Sequence, residues 1–344
     1  MTKEEIASKL ALYAEQEMKV KLEQTKWRNT ESSWSKSFAS TKGDELQILS
    51  NIFGLDVTKE LERLFKSATN GDGDERSKIL TLHSSSLLAF LCFCNVREHS
   101  IKIDDTEYNE IMFEVKNDVI AASLGKPSNI DILLLGENRT KLLYLESKFT
   151  EYLKGDRVDL SPKRYEQFYT ILSDNIELPF KASILQITHK PDKRHAKSYT
   201  TDEYCLNNGE STNEYLDGIK QAFSHLLGIV TGPAKTQAPG NEIYNLDLLE
   251  NAKEIKFASI VFDCDQAKYD DYSKLYASVF KNKEEIKNAI KEVLHDRNVY
   301  HDNIIDKLTI VPELKSYQEV FATHPLPKKV RDFYSCVNES DIKF

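Results

Sequence analysis

The chain has 344 residues, 40% of them hydrophobic, 10% aromatic and 29% charged, which is enough to bury a core without metals or disulfides. That balance excludes a disordered acidic tail, a collagen and a coiled coil. A formal charge of −9, from 46 basic and 55 acidic residues, excludes a uniformly basic coat for nucleic acid and leaves room for a local basic groove.

Residues 3–25 place Ile6, Leu10, Tyr13 and Val20 near helical spacing among Lys and Glu, which predicts an amphipathic helix and not a secretory leader. A polar segment carrying Trp27 and Trp34 follows, and a second helical stretch runs from near Asp44 to before Asn70. Asn70-Gly-Asp-Gly-Asp-Glu is a turn cluster that marks a boundary. Its alternating Asn70, Asp72 and Asp74 suggest a calcium loop, but Glu75 stands where such a loop needs Gly and Thr81 where it needs Glu. A solvated turn is the better reading.

Ser84, Ser85 and Ser86 stand ready to cap the most apolar helix of the chain, residues 87–96. Ile111-Met-Phe-Glu-Val115 predicts a strand, Gly125-Lys-Pro-Ser-Asn129 a turn, and Ile130-Asp-Ile-Leu-Leu-Leu135 a second strand. Gly136-Glu-Asn-Arg139 is hairpin-like and leads into a third strand, Leu142-Leu-Tyr-Leu-Glu-Ser-Lys148. Ser161-Pro162 opens a helix through Tyr165, Phe168 and Leu172, and residues 182–188 predict a further strand. The order from 84 to 188 is helix, three strands, helix, strand, an α/β core of about a hundred residues. Beyond it come a helix at 214–229, a strand at 257–262 and a helix from 270 to about 295. Gly232, Pro233, Pro239 and Gly240 make residues 231–240 the best linker candidate. The expected organisation is an N-terminal helical segment over 1–75, the core over 76–200, and a C-terminal elaboration over 201–344 packed on that core.

Cys92, Cys94, Cys205, Cys264 and Cys336 are odd in number and form no CxxC pair, which argues against a zinc ribbon or a thioredoxin-type site. Cys92 and Cys94 read as small hydrophobes within an apolar run. No stretch is apolar enough to span a membrane, and a cytoplasmic location is expected. His295-Asp296 and His301-Asp302 lack an evident third metal ligand. The chain contains no GxGxxG, Walker A loop, HExxH or GxSxG, so most ATPase, dehydrogenase, zinc-protease and α/β-hydrolase readings fall away.

The informative residues are Asp131, Glu146 and Lys148. A carboxylate inside an apolar strand is costly unless it is paired or binds a cation. Glu146 and Lys148 alternate to one face, and pairing through the 136–139 turn would set Asp131 beside Glu146 on that same face. Two carboxylates and an ammonium then converge. Such a group suits Mg²⁺, which takes one or two carboxylates together with water and substrate phosphate, and which lowers the pKa of a water. Lys148 would place that water or neutralise charge at phosphorus.

Pro127…Asp131…Glu146-Ser147-Lys148 resembles the PD-(D/E)XK motif of restriction-endonuclease-like nucleases, and the helix-strand-strand-strand-helix-strand order resembles their core. The wider chain resembles a bacterial restriction-endonuclease-like branch of that superfamily. The likeness includes the run Glu146-Ser-Lys148-Phe149-Thr-Glu151 and a later helix ending in His225-Leu-Leu-Gly228-Ile229. Pro127 stands apart from Asp131 where the motif has the two adjoining, which concerns turn shape more than ligation. The resemblance implies that Asp131 and Glu146 are metal ligands for Mg²⁺ (Mn²⁺ as a substitute) and that Lys148 is the catalytic lysine. Glu114, on the preceding strand, is the candidate third acid, with a salt-bridged rim residue as its other reading. Glu151 either joins the site or braces Lys148.

The implied activity is Mg²⁺-dependent hydrolysis of DNA phosphodiester bonds by metal-activated water, leaving a 5′-phosphate and a 3′-hydroxyl, in a restriction or defence endonuclease. Replacing Glu146 or Lys148 by alanine is expected to abolish it with little change in thermal stability. Double-strand cutting by this core implies two sites and so a homodimer. Between Arg139 and Lys197 there are 12 Lys/Arg against 8 Asp/Glu, a local +4. Lys163, Arg164 and Gln167 on the 161–173 helix, and Lys190, Lys193 and Arg194 in the basic run after the last core strand, are the expected nucleic-acid contacts. Two other readings stand beside this one: a catalytically silent module that binds nucleic acid or a protein partner, and an enzyme of this fold acting on a non-nucleic phosphate.

Overall fold

The computed structural model describes residues 1–25, 35–70, 78–119, 127–153, 158–160, 165–191, 195–207, 216–340 and 342–344. The turn cluster that resembles a calcium loop, apart from Asn70, and both tryptophans lie outside the described residues.

The N-terminal third is helical. Helix α1 (Lys3–Gln16) starts at a capping box in which the Thr2 hydroxyl takes the Glu5 amide and the Glu5 carboxylate takes the Thr2 amide. A short hairpin, β1 (Leu22–Gln24) with β2 (Lys36–Phe38), precedes α2 (Glu45–Phe53) and α3 (Lys59–Ala68). Gly54 ends α2 at φ 73°, the left-handed geometry that suits glycine at a helix C-terminus. Helix α4 (Ser85–Phe93) starts at Ser84, whose hydroxyl accepts the Ser86 amide. All its residues from Leu87 onward are buried, as an all-apolar helix requires.

The main sheet forms next. Strands β3 (Ile101–Ile103), β4 (Thr106–Asn117), β5 (Ser128–Gly136) and β6 (Lys141–Lys148) make an antiparallel meander. Gly136 pairs with Lys141 across the 137–140 turn, a hairpin as the sequence predicts. Glu137, Asn138 and Arg139 all have positive φ there. A second, three-stranded sheet follows: β7 (Val158–Leu160), then α5 (Glu166–Asn175), then the hairpin β8 (Lys181–His189) and β9 (Tyr199–Asn207), in the order β7-β9-β8. Helix α6 (Leu216–Thr231) and α7 (Leu246–Asn251) lead into β10 (Glu254–Val261), which joins the main sheet parallel to β6 from Glu254↔Lys141 to Val261↔Lys148. Helices α8 (Gln266–Phe280), α9 (Lys283–His295) and α10 (Asp302–Lys307) come next. Strands β11 (Leu308–Ile310) and β12 (Lys315–Ser316) extend β10 in parallel, and α11 (Tyr317–Phe321) and α12 (Lys328–Ser335) close the described chain.

The fold class is the expected one, a mixed α/β sheet with helices on both faces. The elements that complete the core differ from the expectation. The 182–188 segment is β8 of the second sheet, and the strand beside β6 is β10. Part of the core sheet therefore comes from beyond residue 200. The physical reason is burial: Ile255, Phe257, Ala258, Ile260 and Val261 are all fully buried, the near-continuous apolar run of an interior parallel strand. The 231–240 segment is no free linker. Asp118 donates its amide to the Gly232 carbonyl, Ala234 donates to the Lys116 carbonyl, and Gln237 bonds both polar groups of the Lys116 backbone.

Helices α4 and α6 take opposite faces of the main sheet, which orients the candidate site. The Ser147 hydroxyl lies 3.4 Å from the Ser85 carbonyl of α4, while its neighbours Glu146 and Lys148 reach α6. The α4 face is closed by aromatic edges, with Phe90 5.5 Å from Phe65 and 5.8 Å from Phe113.

Candidate functional site

Strand β6 carries two charges into the interior on one face. Lys148 Nζ donates to Glu146 Oε1 at 2.7 Å, and both side chains are buried. His225 Nε2 of α6 lies 2.8 Å from Glu146 Oε2, and Lys148 Nζ also donates to Gln221 Oε1, one helical turn before His225. The other imidazole nitrogen, Nδ1, is 2.6 Å from the Ser128 hydroxyl at the start of β5.

Asp131 faces this pair from β5. The β5–β6 ladder runs from Gly136↔Lys141 to Ile132↔Leu145, so Asp131 stands opposite Glu146 where the regular pairing ends. There the Ser147 amide donates to Asp131 Oδ2 at 2.7 Å. Burial and the Glu146 charge push the Asp131 carboxyl well above the usual carboxylate range, against the pull of Lys148 and the Ser147 amide. Burial also raises Glu146, but His225 and Lys148 outweigh it and hold that carboxyl down at about 2. The two acids therefore divide their roles: Glu146 stays ionised beside Lys148 and His225, and Asp131 is the readier to keep a proton.

Glu114 sits on β4 between Phe113, paired with Ile132, and Val115, paired with Ile130, so it lies across from Asp131. It is buried and has φ 49° in mid-strand, a conformation that costs of the order of 1–3 kcal/mol for a residue with a Cβ. Phe113 packs on α4, whereas Asn117 lies beside Gly228 of α6, so the side-chain alternation of β4 reverses between them, where Glu114 sits. Glu151, in a 3₁₀ turn (Glu151–Leu153), accepts the amides of Phe149 at 2.7 Å and Thr150 at 2.9 Å. Burial raises its carboxyl, yet Lys148, Lys3 of α1, the Phe149 amide and the Ser85 hydroxyl bring it below the usual range.

The fold thus brings Asp131, Glu146, Lys148 and Glu151 into one electrostatic neighbourhood, with Glu114 on the adjoining strand. The expected nucleic-acid contacts fare differently. Gln167 of α5 donates to Asp296 Oδ2 at 2.5 Å, a contact with the end of α9. Lys190 is exposed just after β8, and Lys163, Arg164, Lys193 and Arg194 lie outside the described residues. His295 meets Asp302 at 2.9 Å, and His301 Nδ1 meets the Val230 carbonyl at 2.8 Å. His295 is thus engaged by a nearby carboxylate and His301 by a carbonyl 71 residues away on α6. Sequence reasoning missed Ser128, Gln221 and the role of His225. The one signal available was a polar pair one turn apart, Gln221 and His225, in a largely apolar helix.

The donor set suits a hard divalent cation. A carboxylate oxygen has two acceptor positions, so Glu146 keeps capacity beyond its contacts with Lys148 and His225. Asp131 Oδ1 has no hydrogen bond among the described residues. Positive charge placed between the two acids would also relieve the repulsion that raises Asp131. Among the described residues no three His, Cys, Asp or Glu side chains are already gathered as a metal-holding group.

An antiparallel meander prolonged by a parallel strand, with helices on both faces, is compatible with an α/β nuclease-like core. The family model described as "Restriction Endonuclease associating with ARP" matches residues 7–204, more than half of the chain, and the chain belongs to that family. Neither curated proteins nor solved structures gave a significant match. No described helix is long and apolar enough to cross a membrane.

Proposed function

We propose that this protein is a divalent-cation-dependent endonuclease that hydrolyses DNA phosphodiester bonds. The observation that carries the reading is the convergence of Asp131, Glu146 and Lys148 at one point of the sheet in a chain of this family. Asp131 and Glu146 would hold Mg²⁺, or Mn²⁺ in its place, with Glu114 as the proposed third acid. The cation would supply Lewis-acid stabilisation of charge on the phosphate and a lowered pKa for water.

The chain's own residues do the rest. Glu146, kept ionised by its neighbours, offers a permanent charge, and Lys148 places an ammonium beside the reacting phosphate to neutralise charge as it develops. Attack by water in line with the leaving oxygen would give a 5′-phosphate and a 3′-hydroxyl. Lys163, Arg164, Gln167, Lys190, Lys193 and Arg194 are proposed to follow the DNA backbone, in keeping with the local +4 charge of residues 139–197. The proposal extends to a cytoplasmic homodimer, so that two sites address two strands, and to association with an ARP partner, as the family description reads.

The wild-type protein should nick or linearise plasmid DNA in millimolar Mg²⁺ or Mn²⁺ and lose that activity in EDTA, read on agarose gels. No cleavage of plasmid, single-stranded DNA or RNA with either cation would favour a second reading, a catalytically silent module that binds nucleic acid or protein. The direct closure of Lys148 on Glu146 is the observation on that side.

A further inference from the structure

Helix α6 meets β6 in a matched register. Gln221 and His225 are four residues apart, roughly 6 Å along a helix axis. Lys148 and Glu146 are two residues apart, roughly 6.6 Å along a strand. Each helical side chain therefore reaches one strand side chain, Gln221 to Lys148 and His225 to Glu146.

The helix can come this close because residue 228 is glycine. A Cβ there would meet the Cβ atoms of Asn117 and Ser128 at 3.1 Å each. Ser128 in turn fixes the imidazole: its hydroxyl, 2.6 Å from Nδ1, can donate to that nitrogen and leave the ring proton on Nε2, which lies 2.8 Å from Glu146 Oε2 in a close contact that is not aligned as a hydrogen bond. Serine, histidine and glutamate are all buried, which limits competition from bulk solvent for these partners.

We infer that His225, held by Ser128, is a positioning residue that fixes the Glu146 carboxylate for cation binding, and that Gln221 does the same for the Lys148 ammonium. The inference rests on the metal-dependent reading above. It assigns α6, and not only the two motif strands, to the working site. Neither residue touches the reacting atoms. Their effect is to keep one rotamer of Glu146 and one direction of Lys148, so that the cation meets a ligand already in place.

The test is Mn²⁺ affinity, measured by isothermal titration calorimetry without DNA, well below each variant's melting temperature. His225→Phe keeps the ring volume and removes both nitrogens, so it should weaken Mn²⁺ binding by about 10–100-fold. His225→Gln restores an N–H donor and should recover part of that loss. Ser128→Ala should weaken binding less, by freeing the ring. A merely structural histidine would lower the melting temperature of H225F and leave Mn²⁺ affinity at the wild-type value. H225F and S128A both binding Mn²⁺ like the wild type would overturn the inference while leaving the metal-dependent reading intact. Failure of the wild type itself to bind Mn²⁺ would overturn both. Should H225F fail to fold, S128A decides alone, with wild-type affinity overturning the inference.

Discussion

Lys148→Ala is expected to lower Mg²⁺-dependent DNA cleavage by about 10²–10³-fold, the range seen when one preorganised donor to a developing charge is removed. The lysine is buried and aimed by Glu146 and Gln221, so bulk solvent is a poor substitute for it. Glu146→Gln should remove at least as much activity, because it deletes the ionised carboxylate that faces Asp131. Both are read as single-turnover rates at saturating cation. The pair is deeply buried, and that alters the simple expectation that alanine variants keep wild-type stability. Removing one partner of a buried ion pair leaves the other uncompensated, at about 3–5 kcal/mol. Glu146→Gln, which keeps the shape and part of the hydrogen bonding, is the cleaner probe of chemistry. Wild-type rates in both variants would remove the proposed roles.

The second large effect concerns Asp131, where function and stability should part. Its folded pKa lies above the unfolded value because of burial and the Glu146 charge. The folded protein therefore binds a proton that the unfolded chain has released. The stability tied to that proton is fully present below the usual carboxylate value and is lost as pH rises through the raised folded value. At neutral to alkaline pH, ionised Asp131 is a burden on the cation-free protein. Asp131→Asn should then melt several degrees higher than wild type at pH 8 without cation, with the gap closing as pH falls toward the ordinary carboxylate range. Saturating Mn²⁺ should reverse the order. Wild type gains about 2.7 kcal/mol at a hundred times its Kd, and Asp131→Asn gains little. Thermal melts over pH, with and without Mn²⁺, check both halves, and cleavage by Asp131→Asn should be lost.

How much of this was legible in the sequence depends on how local the cause was. Strands β5 and β6 announce themselves by apolar runs and by the 136–139 turn, and their pairing needs only a hairpin. That is why the sequence itself predicts Asp131, Glu146 and Lys148 as neighbours. The partner of β6 could not be read in the same way. Residues 182–188 and 257–262 are both short apolar strands, and nothing in their periodicity says which sheet each joins. The choice is made by long-range burial, which favours the fully buried β10 and leaves Ile184 half-exposed in the second sheet. Glu114 shows a different limit. Its residue type marked it as an acid on the right strand, but its left-handed backbone, where the side-chain alternation of β4 reverses, has no signature in Glu itself. His225 was hidden because a histidine on an apolar helix face reads as core, and its partners lie 79 and 97 residues away in sequence.

The central claim is that the carboxylates of Asp131 and Glu146 share one divalent cation beside Lys148. Crystals soaked in MnCl₂ and measured at the manganese absorption edge test it directly. An anomalous peak is expected between the two carboxylates, within ordinary Mn–oxygen bonding distance of both and absent from Asp131→Asn crystals. A peak that persists in the variant, a peak elsewhere only, or no peak with both side chains ordered would contradict it.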